Sequence, residues 1–284
     1  MDLGRTYLGK DCIPMKLKIY GCRGSAPYSH QNRRVGGNTS CIRLFSGDYS
    51  IFLDAGSGLI GAGHEINASG ESLPGPQDIL LSHLHMDHID GLRSFAPSFD
   101  EKKGVRIFTI SRDERSLVGQ VFGVFQPPYW PVSLEEAAHA EFVQIYEDVP
   151  FAAGPLAITP FTASHPDKTT SFHIANDEKS IVYLLDSEMS TLDSAEYEKL
   201  VKHCKDADMV VFDAAYSPKD YPSFRGWGHS TVEDGVKLHR DSGCKRVLFS
   251  HFAQHYSDDE ILDWKRYFDR DCYILASEGM EITL

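Results

Sequence analysis

Short runs of apolar residues recur along the chain between polar segments, a pattern that indicates many β-strands. Twelve of these runs predict strands, at 16–20, 41–46, 50–54, 79–82, 105–110, 141–146, 156–163, 171–175, 180–185, 208–213, 246–250 and 272–275. The early runs follow one another closely, as antiparallel strands do, whereas the later ones alternate with helical segments. We therefore expect an α+β fold in which two sheets pack together with helices outside, a four-layer αββα sandwich.

Three helix starts are indicated by a capping residue followed three positions later by a glutamate. In such a capping box the two side chains bind each other's backbone amides, which would otherwise lack partners. The pairs are Asp193 with Glu196, Ser230 with Glu233, and Ser257 with Glu260. Gly243 is the predicted C-cap of the second helix, because glycine adopts the left-handed conformation without strain.

Residues 123–134, GVFQPPYWPVSL, interrupt this rhythm with three prolines and three large aromatic side chains. Long loops of this kind are often functional, so one interpretation is a lid or rim over a site. The alternative is a loop that packs against the flank of the fold.

The strongest functional signal follows the strand predicted at 79–82 and consists of His83, His85, Asp87 and His88. Alternate side chains of an extended chain face the same side, so His83 and His85 face one way, and the next turn brings the other two close. Imidazole and carboxylate groups are ligands for zinc, iron or manganese. Coincidental histidines in a polar loop are the alternative, but this spacing favours a metal site.

A metal site needs further ligands, and three candidates stand where an apolar strand gives way to a polar loop. They are His165 in TASHP, Asp186 in YLLDSE and His251 in LFSHF. Each alone is weak evidence, because a histidine at a strand end is often structural. Together, after a cluster that needs partners, they favour convergence on one centre.

Charge and composition restrict the partners. The 284 residues include 28 basic and 41 acidic side chains, a net charge of −13, which argues against a protein that grips long nucleic acid through phosphates. A local basic patch around Arg23, Arg33 and Arg34 remains compatible with that balance.

The six cysteines form no CxxC pair and predict reduced, mostly buried thiols. No run of apolar residues is long enough for a membrane span, and no secretory signal is recognisable, so we expect a cytoplasmic protein without a membrane partner. We set residues 1–14 apart as an N-terminal lead, disordered or preceding the true start, and expect residues 15–284 to form a single domain.

These residues together resemble the metallo-β-lactamase superfamily, in the phosphodiesterase branch of ribonuclease Z and the bacterial cyclic-nucleotide phosphodiesterases. The HxHxDH motif matches His83 to His88, and the resemblance extends to GCRGSAP at 21–27, GGNTSC at 36–41, FLDAGSGL at 52–59 and GWGHST at 226–231. It implies the metallo-β-lactamase fold and two divalent metal ions, zinc first, with manganese or iron as alternatives.

The ligand assignment comes from the resemblance. It gives one ion to His83, His85 and His165, and the other to Asp87, His88 and His251, with Asp186 bridging both. In this family pattern a metal-bound hydroxide attacks the phosphodiester.

The same resemblance assigns catalytic roles around GWGHST. His229 is expected to give a proton to the leaving group, and Asp213 is expected to fix its tautomer. Asp87 is included among the catalytic residues as well as the ligands. Ser230, as the predicted helix N-cap, is expected to help bind an anionic substrate.

The glycine-rich segments have a backbone rationale. Gly37 and Asn38 are candidate substrate-binding residues, because GGN can adopt positive φ angles and present main-chain amides to a ligand. A tight turn between strands explains the same residues equally well. Asp54, at the end of its strand, is expected to support the metal loop by hydrogen bonding.

Four functions stay open. The first is a phosphodiesterase acting on a cyclic nucleotide or another small phosphodiester, and the next is a tRNA 3′-processing endoribonuclease. A thioester or lactone hydrolase and a non-catalytic metal-bearing binding module are the others. A homodimer is expected only by analogy with relatives.

Overall fold

A computed structural model describes residues 13–29, 34–69 and 75–284. Most of the predicted lead, residues 1–14, lies outside these ranges. The strands in the described ranges are β1 (Met15–Gly21), β2 (Arg23–Gly24), β3 (Cys41–Ser46), β4 (Tyr49–Leu53), β5 (Gln77–Leu80), β6 (Val105–Thr109), β7 (Ala140–Gln144), β8 (Phe151–Ala153), β9 (Leu156–Thr162), β10 (Thr170–Ala175), β11 (Ser180–Leu184), β12 (Met209–Asp213), β13 (Val247–Ser250), β14 (Phe252–Ala253), β15 (Tyr273–Leu275) and β16 (Glu281–Thr283).

The helices in the same ranges are short. The α-helices are α1 (Gly58–Ser69), α2 (Met86–Ile89), α3 (Leu117–Phe122), α4 (Leu134–Ala137), α5 (Ser194–Cys204), α6 (Val232–Ser242) and α7 (Asp258–Asp263). Single 3₁₀ turns occupy Asp90–Ser94, Ala96–Phe99, Met189–Thr191, Tyr221–Ser223 and Trp264–Tyr267. No helix among the described residues has the length and apolar character that crossing a bilayer requires.

Two seven-stranded sheets form the centre of the fold. Their orders are β16-β1-β3-β4-β5-β6-β7 and β15-β13-β12-β11-β10-β9-β8, and β14 pairs with β2 in a small third sheet. In the first sheet the strands from β16 to β4 are antiparallel and those from β4 to β7 are parallel. In the second sheet β15, β13, β12 and β11 are parallel, and the remainder is antiparallel.

All twelve predicted strands are present, with ends that differ from the prediction by at most two residues. The expectation that the early strands are antiparallel holds for β1, β3 and β4 but is wrong for β5, β6 and β7. Parallel strands need a crossover, and the connections between β4 and β7 contain helices whose periodicity was too weak to predict.

Alternation along the strands produces two cores. In β4, Ile51 and Leu53 enter the core between the sheets, whereas Phe52 enters a second core on the opposite face, beneath α1. Helices α5 and α6 contact each other, and α6 packs on β12 and β13 of the second sheet. The layers are therefore helix, sheet, sheet and helix, as the pattern of strands predicts.

Two of the three predicted capping boxes are present, Asp193 with Glu196 and Ser257 with Glu260. The third was placed one residue too early. Helix α6 begins at Val232, and its capping box is formed by Thr231 and Asp234 instead of Ser230 and Glu233. Threonine and aspartate satisfy the same motif as serine and glutamate, so the sequence offered both registers. Gly243 ends α6 in the left-handed conformation, as predicted.

A buried ion pair joins β2, near the start of the described chain, to the first residue of α7. Arg23 is fully buried, and its guanidinium donates to the Asp258 carboxylate at 2.5 Å and to the carbonyl oxygens of Gly36 and Tyr256. This contradicts the idea of a basic surface patch that includes Arg23. Arg33 lies outside the described residues. The five described cysteines are free thiols, four of them buried, as predicted.

Candidate metal centre

The polar residues singled out in the sequence lie at one end of the sandwich. Each is the last residue of a strand or follows one within a few positions: Asp54 after β4, His83 after β5, His165 after β9, Asp186 after β11, Asp213 at the end of β12 and His251 after β13. Because parallel strands end at a common edge, the sheet topology brings these side chains to a single centre.

The first group of possible ligands consists of His83, His85, His165 and Asp186, whose ligand atoms all lie within 4.8 Å of one another. The Asp186 Oδ1 atom is 3.8 Å from His83 Nε2 and 3.9 Å from His165 Nε2. His85 is exposed, and its Nε2 lies 2.7 Å from the Asp167 carboxylate, which leaves Nδ1 for an ion. Asp167 was not singled out in the sequence, although it lies two residues after His165.

Burial lowers the pKa of His83 well below its usual value, and it lowers the pKa of His165 to about 4. Both imidazoles are therefore neutral, which is the form that binds metal ions. The Nε2 atom of His83 is buried and has no hydrogen-bond partner among the described residues.

The second group consists of Asp87, His88 and His251. The Nε2 atom of His88 lies 3.2 Å from Nε2 of His251 and 3.3 Å from the Asp87 carboxylate. Burial opposes a charge on His88, but the carboxylates of Asp186 and Asp87 outweigh it and raise its pKa well above the usual value. The carboxylates therefore stabilise a positive charge at this point, whether it is a proton or a metal cation.

Asp186 stands between the two groups. Its Oδ1 faces the first group, while its Oδ2 lies 3.1 Å from His88 Nε2 and 3.3 Å from His251 Nε2. Burial would raise the pKa of Asp186, but the surrounding histidines, His251 first, hold it well below the usual value. One carboxylate therefore presents a separate oxygen to each group.

Asp54 lies behind the second group and is fully buried. Its Oδ2 is 2.7 Å from His88 Nδ1 and accepts hydrogen bonds from the hydroxyls of Ser82 and Tyr183, while Oδ1 accepts from the Ser82 amide. This arrangement fixes the His88 ring with Nε2 facing Asp186. The structure thus places Asp54 where the sequence suggested.

Three of the strand-end residues have an unusual backbone. Asp54, Asp186 and His251 have φ angles of 59°, 50° and 66°, in the left-handed region that residues other than glycine rarely adopt. Such strain costs about 1–3 kcal/mol per residue and collects at functional sites, where surrounding contacts maintain it. The sharp turn at each strand end directs the side chain back towards the common centre.

His229 and Asp213 form a pair beside the first group. Asp213 is fully buried, and its Oδ2 lies 2.9 Å from His229 Nδ1. Burial opposes a charge on His229, but Asp213 and Asp186 outweigh it and raise the pKa of His229 to about 9. His229 Nε2 makes no hydrogen bond within the described residues, so this atom is available to a ligand. His229 also lies close enough to Asp186 and His251 to form a third possible ligand group with them.

The segment 226–231 that carries His229 is held by a residue that the sequence analysis missed. Glu188 is buried, and its carboxylate accepts hydrogen bonds from the amides of Gly226 at 2.7 Å and Gly228 at 2.9 Å and from the Tyr221 hydroxyl. Ser230 donates to the carbonyl of the residue before Glu188 and accepts from the amide of the residue after it. Its hydroxyl is thus engaged within the protein, and Thr231 rather than Ser230 caps α6.

The candidate substrate residues in GGN are also engaged internally. The Asn38 amide nitrogens, main chain and side chain, donate to the Glu278 carboxylate, and its side-chain oxygen accepts from the Ser57 hydroxyl. Gly36 has the positive φ angle in this segment, at 115°, while Gly37 does not. The structure therefore favours the alternative interpretation of this segment, a turn between strands, here β2 and β3.

Comparison with known proteins agrees with this geometry. Residues 49–252 match the family model described as the beta-lactamase superfamily domain. The chain belongs to this superfamily. Over 293 aligned positions it is 22% identical to a ribonuclease Z of Bradyrhizobium diazoefficiens, covering 87% of this chain and 92% of that protein.

Two solved structures show that this beta-lactamase superfamily member has the expected fold. The metallo-beta-lactamase fold protein YhfI of Bacillus subtilis matches with a TM-score of 0.70 and 21% identity, over 96% of this chain and all of that one. A diphosphatase of the PhnP family matches with a TM-score of 0.66 and 15% identity, over 96% and 98%. The predicted family and the αββα sandwich are confirmed.

The fold implies divalent metal ions, and the side chains present here fit them. The two groups offer only imidazole nitrogens and carboxylate oxygens, the donors that zinc, manganese and iron accept. The unpaired buried nitrogen of His83 and the convergence of His88, His251 and Asp186 are what a site for cations requires.

Proposed function

We propose that this chain is a phosphodiesterase that hydrolyses a cyclic nucleotide or another small phosphodiester. Two divalent ions, zinc first, would be held by His83, His85, His165, Asp87, His88 and His251, with Asp186 between them. The observation that carries the proposal is the division of Asp186, one oxygen towards each ligand group, beside an oriented histidine. When bound, the ions supply Lewis acidity that activates water and offsets charge on the phosphate.

His229 is proposed to hold the proton that the leaving oxygen needs. Its Nδ1 donates a hydrogen bond to the buried Asp213 carboxylate, which leaves Nε2 to carry the proton to be donated. After donation the neutral ring keeps its proton on Nδ1, which donates a hydrogen bond to the Asp213 carboxylate, and this fixes the tautomer. Glu188 acts indirectly by holding the glycines on either side of Trp227, and with them the main chain before His229.

A small substrate is favoured over tRNA by charge. The chain carries a net charge of −13. Arg23 forms a buried ion pair with Asp258, so its guanidinium is not exposed to a phosphate backbone. Proteins that grip long nucleic acid need exposed basic side chains. A tRNA 3′-processing endoribonuclease remains the second candidate, because the relative from Bradyrhizobium diazoefficiens is a ribonuclease Z.

The test compares turnover of a cyclic nucleotide by the wild type and His229→Ala, together with elemental analysis of both purified proteins. A cyclic nucleotide is used because its leaving alkoxide needs a proton, which a p-nitrophenolate leaving group does not. We expect turnover to fall by about two to four decades, the usual contribution of a general acid, with metal content unchanged. His64→Ala, on the exposed surface of α1, is the control and should retain activity. Loss of metal in His229→Ala would make His229 a ligand and contradict its role as the proton donor.

A substrate panel separates the remaining candidates. Cyclic 2′,3′- and 3′,5′-nucleotides and short oligonucleotides test the first proposal, and precursor tRNA tests the second. Turnover of thioesters or lactones without any of phosphodiesters would support the carboxylic ester alternative. Bound metal without turnover of any substrate would support a binding module.

A further inference from the structure

A cavity of about 280 Å³ opens beside the loop that carries the proposed ligands. Its walls include Met86, Arg93, Phe125, Tyr129 and Trp130, and we refer to it as the aromatic pocket. Phe125, Tyr129 and Trp130 belong to the loop 123–134, which the sequence left as either a lid or a flank. Phe125 is buried and forms the base of this loop, whereas Tyr129 is 82% exposed.

The pocket adjoins the metal centre. Met86, the first residue of α2, stands between His85 and Asp87, so its Cα lies about 3.8 Å from those of two proposed ligands. The pocket is reached from β5 of the first sheet, whereas His229 is held by Asp213 of β12 in the second sheet. The pocket and the proton donor therefore flank the centre from opposite sheets.

The walls present planar surfaces. The Arg93 guanidinium lies 4.9 Å from the centre of the Trp130 ring, and Asp90 holds it through both its carboxylate and its carbonyl. Tyr129 and Met86, which is 48% exposed, leave apolar surface open to water. Exposed apolar surface rimmed by polar residues is typical of interaction sites, ligand-binding grooves among them. Aromatic rings and guanidinium planes are the surfaces on which nucleobases stack.

We propose that the aromatic pocket binds the base of a nucleotide substrate, with Tyr129 as a stacking partner, while the leaving oxygen lies towards His229. The inference rests on the proposed phosphodiesterase function and names its substrate class. The pocket lies on the first sheet and His229 on the second, so the base belongs to the part of the substrate that stays bound to phosphorus.

The experiment compares two esters with the same leaving group, p-nitrophenyl thymidine 5′-phosphate and methyl p-nitrophenyl phosphate. Tyr129→Ala should lower kcat/KM for the thymidine ester by about 5- to 150-fold, the usual effect of removing one base-stacking ring, and leave the methyl ester unchanged. Tyr129→Phe retains the ring and should retain the preference. Tyr146→Ala removes another exposed tyrosine, one that does not line the pocket, and serves as the control.

A binding measurement decides the inference independently of turnover. Calorimetric titration of the metal-loaded protein should show thymidine 5′-monophosphate binding more tightly than methyl phosphate, and Tyr129→Ala should abolish that difference. If the wild type hydrolyses neither ester, the proposed function fails, but this titration still supports or overturns the base pocket.

Three results would overturn the pocket. The first is an equal loss for both esters in Tyr129→Ala, which would mean that Tyr129 acts through the fold of the loop. The second is no loss for either ester together with equal binding of the two monoesters. The third concerns hexyl p-nitrophenyl phosphate. If its kcat/KM exceeds that of the methyl ester by as much as that of the thymidine ester does, the pocket binds any apolar group and is not specific for a base.

Discussion

Replacement of Glu188 by alanine tests whether the segment before His229 is held by a single buried carboxylate. The carboxylate accepts hydrogen bonds from the main-chain amides of Gly226 and Gly228 and from the Tyr221 hydroxyl. Gly226 is exposed, so water can replace the carboxylate there, whereas Gly228 is buried beside His165. The variant therefore leaves one main-chain amide without a partner in the folded state.

The magnitude follows from these contacts. A hydrogen bond to a charged group contributes about 1.5–3 kcal/mol, and a buried donor without a partner costs about 1–3 kcal/mol. Water can replace the contact to Gly226. The conformation in which Glu188 holds the segment 226–231 should therefore be destabilised by about 3 kcal/mol relative to conformations in which the segment is detached. We expect turnover to fall by about 10- to 100-fold, because a proton donor displaced by about 1 Å is no longer aligned with the leaving oxygen.

The assay is turnover of a cyclic nucleotide, whose leaving alkoxide needs the proton donor, with metal content and amide hydrogen exchange measured on the same samples. Exchange at Gly226 and Gly228 should accelerate while metal content stays at the wild-type level. Glu188→Gln should be intermediate, because an amide accepts on one side only and turns a donor towards the other. Glu198→Ala, at an exposed position on α5, is the control.

Wild-type turnover and unchanged exchange in Glu188→Ala would refute this reasoning, and loss of metal would show that Glu188 supports the ligands instead. Slow turnover with unchanged exchange would also count against it, because the proposed cause is opening of the segment.

Three further predictions concern stability and metal affinity. Asp54→Ala should weaken zinc binding by about 10- to 100-fold, since it frees the His88 ring; competition with a chelator measures this, and unchanged affinity would contradict the role. In metal-stripped protein, the pKa of His229 is raised to about 9, so its contribution to stability is complete below pH 6.5 and is lost as the pH rises through 9. The difference in unfolding free energy between wild type and His229→Gln should therefore shrink across this range, and growth with pH would show the sign to be wrong. Asp258→Ala leaves Arg23 buried without its partner and should cost about 3–5 kcal/mol in urea unfolding, whereas a loss below about 1 kcal/mol would mean that water replaces the carboxylate.

The parts of the site that could be predicted depend on short stretches of chain. Alternation after β5 was enough to group His83 with His85, and an apolar run ending in a polar residue marked His165, Asp186 and His251. That these residues converge on one centre was predicted from the family resemblance, because no local sequence pattern shows which strands end at the same edge of a sheet. The parallel order of β11, β12 and β13 supplies the physical reason.

The parts that were missed depend on contacts between distant residues. Glu188 binds amides 38 and 40 positions later, and nothing near it in the sequence names those partners. Helix α1 was missed because its glycines lower helix propensity. A side chain at Gly58 would meet the Tyr20 main chain at 2.6 Å, so close packing requires glycine there. Asn38 was assigned to a substrate because its contact with Glu278, 240 positions away, is invisible in the sequence.

The most direct test of the metal centre is anomalous diffraction at the zinc edge from crystals grown with zinc. Two peaks should appear on either side of the Asp186 carboxylate, one among His83, His85 and His165 and the other among Asp87, His88 and His251. A single peak, or peaks elsewhere on the surface with Asp186 turned away from both groups, would contradict the account.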